Sequence, residues 1–288
     1  MKAILKLRMP WRLYLLLWDV RKYVLRLLMN VRYRRPFWSW VNLTTLHRML
    51  DARRLIPASI PIVINNFNRF DSLCALIEWI RGLDGEKSII ILDNASTYPP
   101  LRAYYRSLRK SPNVQVVRLG FNSRLYGIED VVKELGGFRR YVVTDADLVP
   151  YPDTPPDMLQ RMDALLDKHP QFTHVGASLE ICDIPAHYPL RDKVLAWESR
   201  YWPPQAEAVG PDGFVAWVDT TFGMYRQGAD VTKIDPAMRL ARPYRLKHVD
   251  WYIDPARMTD EQRHYLCVSR PVASWTAKLR EQRGAAQV

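Results

Sequence analysis

From Ile60 to Thr144 short runs of β-branched residues alternate with segments whose apolar side chains recur every three or four residues. Few architectures accept that alternation. Ile60–Ile64, Ser88–Leu92, Val114–Val117 and Tyr141–Thr144 read as strands, and Ser72–Ile80, Leu101–Leu108 and Ile128–Leu135 as the helices between them. Strand, helix and strand in succession predict βαβ units, right-handed crossovers and a mostly parallel sheet flanked by helices, an α/β fold of Rossmann-like type. In such sheets ligands bind at the carboxyl ends of the strands.

Those ends are Asn65-Asn66-Phe67-Asn68-Arg69, Asp93-Asn94-Ala95-Ser96-Thr97, Gly120-Phe121-Asn122-Ser123-Arg124 and Asp145-Ala146-Asp147. Turn chemistry alone enriches Asn, Asp, Ser and Gly after strands, but here four polar stretches converge on one sheet edge. The last is the most specific. It follows the apolar run Tyr141-Val142-Val143, and alternate strand positions share a face, so two carboxylates are expected side by side at a strand mouth. Hard cations such as Mg²⁺ and Mn²⁺ take carboxylates together with substrate phosphates. A metal diphosphate is the cargo this pattern suits.

Net charge divides the chain into two parts. Residues 1–50 hold eleven lysines and arginines against the single acid Asp19, +10 of the total of +12. Between Leu13 and Val31 the residues Leu13, Leu16, Leu17, Val20, Val24, Leu27, Leu28 and Val31 fall on one helical face, with Arg12, Asp19, Lys22, Arg26 and Asn30 opposite. Charge from Asp19 to Arg26 excludes a membrane span, which needs about 20 nearly uncharged residues, and no signal-peptide cleavage pattern follows. An amphipathic helical extension over 1–56 is expected, bound to an anionic membrane surface with Trp11, Tyr14, Trp18, Trp38 and Trp40 at the interface, or else packed on a protein partner. Nucleic acid is not the expected partner, because the apolar face would serve no purpose there. The rest of the chain, over 57–288, is expected to form a separate domain. Three widely spaced cysteines, with no CxxC, indicate neither a disulfide framework nor a zinc site, which fits the cytoplasmic face of an inner membrane.

In order and spacing, Ile62–Arg69, the Leu92-Asp93-Asn94-Ala95-Ser96-Thr97 block and Thr144–Asp147 resemble the nucleotide-binding half of GT-A glycosyltransferases of the bacterial family 2 type. Val218–Phe222 and His248–Tyr252 are similar to segments of a subgroup acting on surface polysaccharides. The resemblance implies a catalytic domain over 57–288, with a nucleotide-binding half over 57–150 and an acceptor-binding half over 151–288, in a hexosyltransferase of inverting type that moves a sugar from a nucleotide-diphosphate donor, a UDP-sugar, to a glycan or lipid-linked acceptor with Mn²⁺ or Mg²⁺. It implies that Asp93 accepts from the uracil imide, that Asn65 and Phe67 flank the base, and that Arg124 reaches the base or the diphosphate. Phe67 stands where the family usually has tyrosine. Asp145 would hold the ribose or the metal, Asp147 the metal directly, and His248 would be the late-chain ligand, with His264 as its competitor.

A base near the acceptor hydroxyl is also required. Asp219, after the apolar stretch Phe214–Val218, is the chosen candidate, with Asp250 and Asp254 as substitutes. Glu198 and Trp202, and Asp250, are expected to contact donor or acceptor sugar, since aromatic faces beside carboxylates grip pyranose rings. Two rival functions are a catalytically inactive membrane scaffold and a haloacid dehalogenase-type phosphatase with Asp145 as nucleophile. The second lacks the later lysine and paired acids its chemistry requires.

Overall fold

The computed structural model describes residues 55, 59–119, 122–123, 126–135, 137–218, 220–231, 237–269, 275 and 279. The expected leader over 1–56 lies almost wholly outside them, as do Arg124 and Asp219. No helix among the described residues is long and apolar enough to cross a membrane.

The first half follows the alternation read from sequence: β1 (Ile60–Asn66), α1 (Asp71–Gly82), β2 (Lys87–Asp93), α2 (Pro99–Leu108), β3 (Val114–Arg118), α3 (Tyr126–Glu134) and β4 (Arg140–Asp145). β1 lies between β2 and β4, both parallel to it, with Val63 beside Ile90 and Val143. Strands covered on both faces must be apolar throughout, and Ile62, Val63 and Ile64 have no exposed surface. On α1 the spacing of Leu73, Leu76, Ile77 and Ile80 puts all four into the core at 0% exposure. Each such burial contributes about 1.5–3 kcal/mol. Two prolines open α2, where a missing N–H costs nothing and the fixed φ suits the first turn.

Beyond β4 the alternation stops. The chain continues through β5 (Leu148–Pro150), α4 (Met158–Lys168), β6 (His174–Gly176), β7 (Ser178–Leu179), α5 (Arg191–Glu198), β8 (Ala208–Val209), β9 (Gly213–Val215), β10 (Gly223–Arg226), β11 (Ala237–Leu240), β12 (Arg245–His248) and α6 (Asp260–Val268). The large sheet has the order β3-β2-β1-β4-β10-β6-β11-β9-β8. Its first four strands are parallel; β10 is antiparallel to both β4 and β6. The sheet is therefore mixed, with a parallel core and an antiparallel continuation. Gly223 and Gly176 pair here, and a Cβ on Gly176 would stand 2.4 Å from the Val218 side chain.

A separate sheet has the order β5-β12-β7. β12 runs antiparallel to β5 with His248 opposite Leu148, and the Val249 N–H donates to the Asp147 carbonyl at 2.9 Å. Segments a hundred residues apart thus meet at the end of β4.

Candidate active site at the strand ends

In the order β3-β2-β1-β4 the chain moves outward from β1 and then returns to its other side, so the reversal point lies between β1 and β4. Open α/β sheets leave a crevice there. Its floor is a continuous hydrogen-bonded chain. Ser123 donates to Asn94 Oδ1 through its N–H at 2.9 Å and its hydroxyl at 2.8 Å. Asn94 Nδ2 donates to Asn65 Oδ1 at 2.7 Å, and Asn65 Nδ2 donates to Asp145 Oδ1 at 2.9 Å. The Thr220 hydroxyl donates to Asp145 Oδ2, and the Asp145 N–H returns a bond to the Thr220 carbonyl at 2.7 Å. One residue from each parallel strand end is locked in place, and the chain terminates on a carboxylate.

The loops after β1 and β2 are clamped together. Asn68, at φ 54° and 0% exposed, accepts from the N–H groups of Thr97 and Tyr98 at 2.7 and 2.9 Å, and its own N–H donates to Ser96 Oγ at 2.8 Å. Asparagine tolerates this left-handed region better than most residues. Ala95, at φ 60°, has no such chemistry, and strain of that kind persists only where its surroundings enforce it.

Asp93, at the end of β2, is 1% exposed. Tyr105 donates to its Oδ1 at 3.1 Å and the Ser96 N–H at 3.3 Å, while Oδ2 has no hydrogen-bond partner and only Arg118 Nε at 3.8 Å. Burial raises its pKa, partly offset by Ser96, Tyr105 and Arg118. A buried acceptor with a spare lone pair is suited to an N–H donor brought by a ligand. Phe67 is half-buried and meets Tyr265 edge-on at 5.9 Å.

The expected pair Asp145 and Asp147 does not form on one strand face. β4 ends at Asp145, and Ala146-Asp147 form the turn into β5. Asp147 instead faces β12: His248 Nε2 stands 3.9 Å from its Oδ2, and one ligand atom from each of Asp147, His248 and Asp250 lies within 4.8 Å of the others. That gap is too long for a hydrogen bond and less than twice the metal–oxygen distance of about 2.1 Å. The His248 ring is stacked on Trp251 at 4.8 Å, and its Nδ1 is buried without a partner. Among the described residues, Asp147, His248 and Asp250 form the group whose ligand atoms lie close enough together to share a metal ion.

Asp250, expected as a sugar contact, is fully buried. Arg69 Nη2 lies 2.6 Å from both of its oxygens and 3.9 Å from Asp147 Oδ2. The Arg69 guanidinium also covers the Tyr265 ring at 3.7 Å. Its pKa is raised: burial alone would lower it, but Asp250, Tyr265, Asp147 and Glu261 outweigh that loss. Glu261 in turn accepts from the Phe70 and Asp71 N–H groups at 2.8 and 2.7 Å, supplying the first turn of α1 with a carboxylate from α6. Arg69, Thr220 and Glu261 carried no role in the sequence reading. Arg69 closes the polar stretch after the first strand, yet its partner lies 181 residues on and leaves no local signal.

Glu198 and Trp202 are both engaged internally. Glu198 forms a buried ion pair with Arg239, and the Trp202 indole N–H donates to the Leu179 carbonyl at 3.0 Å within a cluster holding Phe214. Both polar groups are taken up by partners within the protein. His264 Nε2 meets Thr97 Oγ1 at 3.0 Å and lies outside the Asp147 group, and Asp254 caps a turn through the Ala256 N–H at 2.9 Å.

The family model described as Glycosyl transferase family 2 matches residues 62–227. No curated protein matches the sequence. Among solved structures, S. aureus TarS 1-349 aligns over 67% of this chain and 60% of its own at 12% identity, TM-score 0.46. This chain therefore spans about 60% of the length of that protein's crystallised segment. The mannosyltransferase PcManGT from Pyrobaculum calidifontis, in complex with GDP-Man and Mn²⁺, aligns over 90% of this chain and 85% of its own at 14% identity, TM-score 0.43. GalNAc-T7 with UDP, GalNAc and Mn²⁺ aligns over 66% and 44% at 10% identity, TM-score 0.47.

Proposed function

The chain belongs to glycosyl transferase family 2, and on that premise we propose that it transfers a sugar, with inversion, from a UDP-sugar to a glycan or lipid-linked acceptor in bacterial surface polysaccharide synthesis. The observation that carries the metal-dependent form is the meeting of Asp147 and His248 across the β5–β12 pairing, at the crevice where a donor diphosphate would lie. Asp147 and His248 would hold a divalent ion, with Asp250 restrained behind them by Arg69. Such an ion, when bound, neutralises charge on the departing diphosphate.

The remaining work falls to the chain's own groups. Asn65 and Phe67 flank the base, and the spare oxygen of Asp93 accepts the uracil imide N–H. Asp145, held by Asn65 and Thr220, orients the ribose, and Arg124 attends the diphosphate. Asp219 precedes Thr220 in sequence and takes the proton of the acceptor hydroxyl as the acceptor oxygen bonds to the anomeric carbon and the bond to the phosphate oxygen breaks. The basic leader over 1–56 would keep the enzyme on the cytoplasmic face of an anionic membrane, beside lipid-linked acceptors.

Calorimetry of UDP with and without Mn²⁺ tests this reading on the unmodified chain and on Asp147→Ala. Metal-dependent binding is expected in the first and not in the second, with donor hydrolysis falling about 10³-fold, or ~4 kcal/mol. A flat trace in the unmodified chain with Mn²⁺ present would favour an inactive scaffold.

A further inference from the structure

Among the described residues, Trp197, at 43%, is one of two large apolar side chains that stand exposed rather than buried or half-buried. It does not stand alone. Trp197, Tyr201 and Trp217 form a triangle of rings with centroids 6.3, 6.4 and 6.2 Å apart, each pair edge-on at 71°, 70° and 62°. The Arg200 guanidinium lies 3.6 Å over Trp197, with its Nε donating to the Trp197 carbonyl at 2.7 Å.

The triangle is fixed from beneath. Arg239, 3% exposed, places its guanidinium 4.8 Å from the Tyr201 ring, donates from Nε to the Trp217 carbonyl at 2.9 Å, and pairs with buried Glu198 at the end of α5. Three segments separate in sequence are joined through one side chain. A buried ion pair adds little net stability over a packed apolar pair; here it holds the rings at a set height and angle. Trp217 is three residues before Thr220, so the two Cα atoms are at most about 11 Å apart. Thr220 touches Asp145, and the rings therefore lie within an oligosaccharide's reach of the crevice.

Resting on the transferase reading, we propose that Trp197, Tyr201 and Trp217 are an acceptor subsite for equatorially substituted pyranosides, with Arg239 and Glu198 as positioning residues. The axial C–H bonds of such sugars present an unbroken apolar face, which the negative faces of indole rings attract. Arg200 adds donors for the ring hydroxyls, and the exposed ring of Trp197, flanked by half-buried Tyr201 and Trp217, gains a cover.

Titrating the full chain with cellotetraose, followed by intrinsic tryptophan fluorescence and by saturation-transfer NMR, tests the subsite without any donor. Saturable binding is expected, weakened at least tenfold in Trp197→Ala and in Trp217→Ala, with thermal melting confirming that each variant is folded. Trp197→Phe should restore part of the affinity. Absence of saturable binding in the unmodified chain, or alanine variants that bind as tightly as the unmodified chain, overturns the proposal. So does a variant that loses contact with phosphatidylglycerol vesicles while cellotetraose binding stays intact. Metal-dependent UDP binding on the same samples separates the two readings: its failure removes the transferase and leaves the cellotetraose result to be judged by itself.

Discussion

Removing Arg69 should expose how the centre balances its charge. Arg69 and Asp250 are 4% and 0% exposed, and one guanidinium nitrogen lies 2.6 Å from both carboxylate oxygens. Taking the charges about 3 Å apart with an effective dielectric constant near 20, their attraction is ~5 kcal/mol; leaving one partner of such a buried pair without the other costs about 3–5 kcal/mol. Arg69→Met and Asp250→Asn are each expected to destabilise by that amount, while the double variant loses far less than the sum, a coupling of about 2 kcal/mol or more. Urea unfolding of the full chain measures all three. Repeating it with Mn²⁺ adds a functional readout, because Arg69→Met removes a positive charge held against Asp250 and beside Asp147. A tenfold gain in metal affinity would appear as about 1.4 kcal/mol of extra stabilisation at saturating Mn²⁺. Additive losses in the double variant, or identical Mn²⁺ stabilisation of Arg69→Met and the unmodified chain, would refute this account.

Three further outcomes are expected. His174 is 3% exposed, stacked on Tyr225 at 4.5 Å, and burial lowers its pKa to about 4. A depressed histidine favours the neutral form on folding, so its share of stability is intact above pH ~6.5 and is lost as pH falls toward 4, up to about 3 kcal/mol; His174→Gln should flatten the difference in urea midpoint between pH 7.5 and 4.5. Asn65→Ala breaks the strand-end chain at its centre and should cost about 1–3 kcal/mol in unfolding experiments, with UDP affinity falling in calorimetry. Deleting residues 1–50 should release the protein from phosphatidylglycerol vesicles in a flotation assay while donor hydrolysis continues; continued flotation would assign membrane binding elsewhere.

The parallel half was legible because its signals are local. Apolar spacing placed β1 to β4 and their helices within about two residues of their observed ends, and the polar strand ends gave the floor of the crevice. What escaped was long-range. Asp145 and Asp147 read as a pair on one strand, yet the β4 pairing ends at Asp145, and the β5–β12 contact draws Asp147 toward His248. Asp250 read as a sugar contact because nothing nearby reveals Arg69. Glu198 and Trp202 read as sugar contacts because aromatic and acidic residues cluster there, but the partner that buries Glu198 lies on β11. The reversal at β10 is likewise hidden, since a short apolar run does not declare its direction.

The relay from Ser123 to Thr220 has a bearing on how this chain is able to drift. Each carboxamide accepts from one neighbour and donates to the next, so inverting a single member puts two donors or two acceptors nose to nose. Substitutions at 65, 94 and 145 taken singly should almost all fail, whereas a combinatorial library over the three positions should yield survivors in matched sets that no stepwise walk would reach.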